Sequence, residues 1–169
     1  GAEYVLAREI RLKPEEKKDW IHSLKPETDV EIGNLKIRTL KSTDFGVAFM
    51  VETEGRRIYH AGDLNWWHWE EETESYNEQM RQDYQREIDK LKDIVIDIAF
   101  VPLDPRQENQ YAWGMDYFMK HTHTKYVFPM HMWGDYEVYD RLMENPEAEP
   151  YKERVIEVKE PGQVFDVNV

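Results

Sequence analysis

The chain has no cysteine at all among its 169 residues. Disulfide scaffolds, Cys-ligated zinc modules, iron–sulfur clusters and thiolate catalysis are therefore excluded together, and any metal must be held by histidine and carboxylate. It also lacks a long hydrophobic run: nothing approaches the roughly 18 consecutive apolar residues of a membrane-spanning helix, and no membrane partner is expected. Positive charge is scarce. Lys and Arg number 22 against 35 Asp and Glu, a net charge of −13, so nucleic acid is not an expected partner, because each phosphate contact calls for a Lys or Arg. The opening Gly1-Ala2-Glu3 has neither the basic nor the apolar stretch of a signal peptide, and the expectation is a soluble, cytoplasmic protein. Glycine and proline, eight of each, punctuate the chain sparingly.

What is present suffices for one folded domain. Apolar residues make up 40% of the chain and Phe, Trp and Tyr 13%, and with no linker in view residues 1–169 are read as a single domain. Glu3 to Leu12, with Tyr4, Val5, Leu6 and Ile10, reads as a short strand, and Pro14 to Ile21, with proline first and acids in the first turn, as a helix of roughly three turns stopped at Lys25-Pro26. Asp29 to Leu40 alternates apolar and polar around Gly33-Asn34, the pattern of a hairpin. Phe45 to Thr53, the Glu54-Gly55 turn and Arg56 to His60 form a second. Trp69 to Asp93 is nearly free of glycine and proline, and Tyr76, Met80, Tyr84, Ile88 and Leu91 recur at helical spacing, which predicts one long surface helix. Ile94 to Leu103 is almost continuously apolar, as in a strand buried on both faces within a sheet covered by helices. Helices at Met115–His121 and Glu137–Glu144, a strand at Lys125–Pro129 and terminal strands at Val155–Val158 and Gln163–Val167 complete a mixed α/β reading.

Three polar segments each directly follow an apolar strand: Ala61-Gly62-Asp63 after Tyr59-His60, Asp104-Pro105-Arg106 after Val101-Pro102, and His131-Met132-Trp133 after Phe128-Pro129. Strand ends in layered α/β proteins carry ligands, since the scaffold is rigid there and the loops are free. Two carboxylates and an imidazole aimed at one point hold a divalent metal or run acid–base chemistry. Each has a plainer reading. Asp63 can cap a turn, Asp104 before proline can open one, and His131 between two methionines can be a core histidine. Trp66, Trp67, His68 and Trp69, with Trp113 and Trp133, either line a substrate pocket or pack the long helix onto the sheet. Arg106 either binds an anionic substrate group or pairs with Asp104.

The run Gly46-Val47-Ala48-Phe49-Met50-Val51-Glu52, the Glu54-Gly55 turn and Ile58-Tyr59-His60-Ala61-Gly62-Asp63 resemble the hairpin and metal-binding aspartate segment of metallo-β-lactamase fold hydrolases. Tyr126-Val127-Phe128-Pro129-Met130-His131 resembles the segment with that superfamily's last metal-binding histidine. The fuller stretch Ala61 to Trp69, with Asp104-Pro105-Arg106 behind it, is similar to a bacterial branch described only as metal-dependent hydrolases. The resemblance implies the C-terminal portion of an αββα sandwich, a mixed sheet with flanking helices. It implies Asp63 as a carboxylate bridging two metals about 3.5 to 4 Å apart and His131 as a terminal ligand, with a metal-bound hydroxide attacking an ester, lactone or phosphodiester-type bond. Zinc is the expected metal, with manganese and iron open. Ser42-Thr43-Asp44 stands where the superfamily often has a further histidine, and Asp44 is read either as an oxygen ligand or as a turn residue.

The superfamily's His-x-His-x-Asp-His cluster has no counterpart here. His121-Thr122-His123 lies after Asp63, in the wrong order, and is read as a helix C-terminal pair favourable to the dipole. Two expectations follow: the chain by itself is inactive or weakly metallated, and it self-associates or pairs with the missing N-terminal half through an open sheet face. The alternative is a non-catalytic module that binds small molecules with Trp66, Trp67, His68, Asp104, Arg106 and Trp133, the residues also expected to contact substrate.

Overall fold

A computed structural model describes residues 1–169. Its frame is a six-stranded mixed sheet in sequence order, β3-β4-β5-β6-β7-β8. The first four strands, β3 (Asp29–Ile32), β4 (Leu35–Lys41), β5 (Val47–Thr53) and β6 (Arg56–His60), run antiparallel as two linked hairpins. Glu54 and Gly55 both take positive φ (51° and 75°) at the second turn, the backbone twist that a two-residue hairpin loop needs. From β6 the chain changes mode: β7 (Val95–Pro102) and β8 (His123–Met130) add in parallel, each reached through a helix.

Those two helices, α1 (Glu74–Asp89) and α2 (Trp113–His121), pack on the same face of the sheet. Met50, Tyr59, Ala99 and Val127 form one cross-strand row there, each at most 5% exposed. Tyr59 stacks on Phe118 with ring centroids 5.0 Å apart, and the Tyr84 hydroxyl donates to the Gly114 carbonyl at 2.7 Å, tying α1 to α2. The neighbouring row, Ile37, Val51, Ile58, Ile98 and Tyr126, points to the other face, and four of its five members are only half-buried. The continuous apolar run of β7 predicts cover on both faces; helices cover one. On the other, the C-terminal segment lays Phe165 edge-on against Phe128 at 5.2 Å.

Three elements depart from expectation. Residues 14–21 form only a 3-10 turn at Pro14–Glu16, followed by β2 (Ile21–Leu24), which pairs in parallel with β1 (Tyr4–Ala7) as a separate small sheet. The segment offers no apolar stripe at three- and four-residue spacing to offset helix nucleation, so strand pairing wins. The long helix begins five residues late. Thr73 caps it by accepting from Tyr76 N at 3.2 Å, and Asn77 holds Trp69 outside the helix by bonding both its N–H (3.0 Å) and its carbonyl (2.8 Å). The two terminal strands reduce to one bridge, Val127 with Val155, because Pro161 and Gly162, the latter at φ 79°, turn the chain away from the β8 edge. A short helix, α3 (Val138–Glu144), stands as expected to within a residue. His121 ends α2, its Nδ1 2.8 Å from the Tyr117 carbonyl, and His123 opens β8, so the pair is split between two elements.

Candidate metal centre

Parallel strands deliver their C-terminal ends to one edge of the sheet, and β6, β7 and β8 do so here. Backbone bonds zip the emerging loops together: Ala61 N donates to Phe100 O at 2.9 Å, and Leu103 N to Met130 O at 2.8 Å. Asp63, Asp104 and His131 therefore meet. His131 Nε2 lies 3.1 Å from Asp63 Oδ1, and His131 Nδ1 lies 3.8 Å from Asp104 Oδ2, an ion-pair distance rather than a hydrogen bond.

The Asp63 loop is held from several directions. Gly62 sits at φ 56°, and a Cβ there would approach Val47 O to 2.9 Å, so only glycine lets β6 turn against β5. The Thr43 hydroxyl donates to Asn65 O at 2.7 Å and accepts from Asn65 N at 3.0 Å. Trp67 Nε1 donates back to Asp63 O at 2.9 Å, and buried Asn65 bonds Gln107 Oε1 at 2.9 Å. With its backbone fixed this way, the Asp63 carboxylate needs little reorganisation to act as a donor.

A cavity of about 390 Å³ opens over the pair, lined by Asp44, Asp63, Trp67, Trp69, Arg106, His131 and Trp133 together with Thr43, Tyr76 and Met80. The predicted substrate residues are thus divided. Trp67 and Trp69 stack face to face at 5.8 Å on the cavity side. Trp66 and His68 project to the other side, against Trp113 at 5.3 and 4.9 Å, and line a separate acidic cleft. Residues 66–69 belong to neither helix nor strand, and their alternate side chains go to opposite sides. Asp44 reaches the same cavity as Asp63, while its backbone N–H donates to Ser42 Oγ at 3.2 Å.

Asp104 is fully buried and held by several donors. Arg106 donates to it through its backbone N–H and its guanidinium, at 3.0, 2.9 and 2.6 Å, and Trp133 Nε1 donates at 3.1 Å. Burial pushes its pKa up, yet His131, Arg106 and Trp133 outweigh that and hold the carboxyl well below the usual carboxylate range. His60, at the end of β6, was not singled out by sequence; its one signal is its place directly before Ala61-Gly62-Asp63. Its Nδ1 accepts from Gly62 N at 3.0 Å. Lost hydration and then the nearby His131 push its imidazole below its ordinary value, with Asp63 opposing.

The donor chemistry suits a divalent metal, with one hard oxygen and one imidazole nitrogen facing each other and a buried His131 Nδ1 that has no hydrogen-bond partner. The number falls short: no three His, Asp or Glu side chains gather in metal-binding geometry, whereas catalytic zinc takes three protein ligands. The residues fit part of a metal centre.

No family model and no curated protein matches the sequence. Solved structures do. Igni18, a metallo hydrolase from the archaeon Ignicoccus hospitalis, is 14% identical with a TM-score of 0.54, over 88% of this chain and 62% of its own. A proposed Zn-dependent hydrolase of the metallo-β-lactamase superfamily from Thermotoga maritima is 20% identical over 66% of this chain and 49% of its own, at a TM-score of 0.36. Zn²⁺-bound PqqB from Methylobacterium extorquens is 11% identical over 66% and 41%, also at 0.36. At these identities the likeness is one of fold, and the superposition on Igni18 carries it: the chain has a mixed α/β, metallo-β-lactamase-like architecture. It spans about half the length of the Thermotoga protein and less than two thirds of Igni18. No helix is long and apolar enough to cross a membrane.

Proposed function

We propose that this chain carries part of the active site of a metal-dependent hydrolase of the metallo-β-lactamase superfamily. The observation behind the reading is the 3.1 Å approach of His131 Nε2 to Asp63 Oδ1 at the ends of two strands joined through β7. Asp63 and His131 would hold the metal, and Asp44 in the same cavity would add an oxygen donor. Zinc is the favoured ion on this donor set, with manganese and iron as alternatives. When bound, such a metal supplies Lewis acidity and a nucleophilic water near neutral pH. The chain's own residues orient the substrate: Trp67, Trp69 and Trp133 present flat aromatic walls, and the cavity opens directly onto Asp63. The bond attacked would belong to an ester, lactone or phosphodiester.

Two ligands and a neighbouring carboxylate make a weak site alone, so the reading includes further ligands from outside these residues, on a preceding segment or an associating copy. The half-buried sheet face of Val51, Ile58 and Ile98 is where such a body would dock. The alternative, a binding module without catalysis, is favoured by one observation, the stacked Trp67–Trp69 pair facing the cavity.

Zinc titration of the chain by calorimetry tests the reading. Weak binding that disappears in both Asp63→Ala and His131→Ala is expected. Binding unchanged by either substitution sinks it. Ligand quenching of tryptophan fluorescence that persists in a chelator, with no chelator-sensitive hydrolysis by any longer form of the protein, would favour the binding module.

A further inference from the structure

The loop after β8 is conformationally odd. His131 (φ 63°) and Trp133 (φ 55°) are both non-glycine residues in the left-handed region, followed by Gly134 at 86°. Side chains bearing a Cβ adopt that conformation where the surroundings impose it. Burial does not impose it on Trp133, which is 69% exposed.

What holds Trp133 is polar and cationic. Its indole N–H donates to Asp104 Oδ2 at 3.1 Å, and the Arg106 guanidinium lies 4.4 Å from its ring centroid and 5.8 Å from that of Trp69. Arg106 is itself fixed by two guanidinium nitrogens on Asp104, Nε at 2.9 Å and Nη2 at 2.6 Å. Asp104 is anchored at the end of β7, where Leu103 N bonds Met130 O. The path from the rigid sheet to the loop thus runs β7, Asp104, Arg106, Trp133.

We infer that Asp104, Arg106 and Trp133 form a clamp that imposes the left-handed backbone on His131 and Trp133 and so aims His131 at Asp63. They are positioning residues. Without the clamp the loop relaxes to ordinary φ values, and the imidazole no longer projects from β8 toward β6. The arrangement also explains the orphaned His131 Nδ1: it faces Asp104 Oδ2 at 3.8 Å, and a small ring movement turns that approach into a hydrogen bond to the nitrogen opposite the one facing Asp63. A carboxylate behind an imidazole in this way fixes ring orientation in metal sites generally. Only the meaning of His131 as a metal donor rests on the hydrolase reading; the clamp is a property of the chain without metal.

Nuclear magnetic resonance on the metal-free chain tests it through cross-relaxation between the His131 and Trp67 rings, whose centroids are 5.8 Å apart. Trp133→Gly is the informative variant, since glycine accepts the left-handed conformation freely while the clamp is lost. The expected result is loss of the His131–Trp67 contacts while the Tyr59–Phe118 core contacts persist. Trp133→Phe keeps the ring on Arg106 without the indole N–H and is expected to weaken the same contacts partially. Wild-type His131–Trp67 contacts in a folded Trp133→Gly protein overturn the clamp. Should Trp133→Gly disturb the core, Trp133→Phe decides: unaltered contacts overturn the inference, and weakened contacts uphold it. Zinc titration separates the two ideas. Absence of zinc binding in the wild type defeats the hydrolase reading and leaves the clamp standing, whereas a roughly tenfold or greater loss of affinity in Trp133→Gly with an intact core supports both.

Discussion

The two faces of the six-stranded sheet are built from adjacent residues of the same strands, yet one is a finished core and the other is not. Met50, Tyr59, Ala99 and Val127 are sealed under α1 and α2, while Val51, Ile58, Ile98 and Tyr126, their immediate neighbours, stay half-buried. The reason is topological. The two covering helices, α1 and α2, enter through the β6–β7 and β7–β8 crossovers, and crossovers of one hand place both on one side. Over the hairpins the second face has only the small β1–β2 sheet for cover, where Leu24 clusters with Ile32 and Ile37 and Val5 and Val51 pack against them. Stability should therefore reside on the helix side, and association on the other. The candidate metal centre lies at the strand ends where the two sides meet.

The comparison breaks most readily at Phe118, which is fully buried against Tyr59. Phe118→Ala is expected to cost about 3 to 5 kcal/mol, from lost burial and the cavity left behind. Ile98→Ala on the less covered face should cost less, about 1 to 2 kcal/mol, because Ile98 is already partly exposed. Urea unfolding of the two variants checks the ratio. Equal losses would mean that the open face is as much a core as the other.

Gly114 in α2 connects the covered face to the site. A Cβ there would fall 1.9 Å from Asn65 Oδ1, and Asn65 cannot swing aside without giving up its bond to Gln107. Gly114→Ala is thus expected to destabilise by about 1 to 3 kcal/mol despite its better helix propensity, and to disturb the Asp63 loop. Stabilisation in the unfolding curve would count against this packing.

At the site, acid acts through Asp104. The folded-state pKa of Asp104 is lowered, so its contribution to stability is complete above the unfolded value of about 3.9 and is lost as pH falls below that. Asp104→Asn should lower stability at pH 7 and flatten the loss below about pH 4, read from urea midpoints at each pH. An unchanged slope would mean that other carboxylates dominate acid unfolding.

Much of this was legible in the sequence because period and punctuation report local geometry well. Alternation gave the two hairpins, the apolar run gave β7, and a polar residue after each strand end gave Asp63, Asp104 and His131 as a converging set. Residues 14–21 misled because a proline followed by acids opens 3-10 turns as readily as helices, and only the partner strand β1 decides between them. The division of Trp66 and His68 from Trp67 and Trp69 was invisible because it depends on residues 66–69 staying outside the helix, where Asn77 holds the Trp69 backbone from eight residues away. Asp104 and Arg106 were legible as a pair, but Trp133 as the third member was not. Its link to Asp104 spans 29 residues and joins the ends of two neighbouring strands of the sheet.

The smallest expected effect on the monomer is the most useful for sharpening the contrast between the faces. Val51 lies between Ile37 and Ile58 on the less covered row, at the margin of the small Leu24–Ile32–Ile37 cluster. Val51→Thr keeps the β-branched shape that a strand favours and changes only the polarity of a half-exposed surface. Monomer stability should change by no more than about 0.5 kcal/mol. If the open face drives self-association, sedimentation velocity at increasing concentration should show the wild type forming larger species and Val51→Thr forming fewer. A large loss of stability with no change in association would reverse the assignment, making Val51 part of the chain's own core and removing the open face as a docking surface.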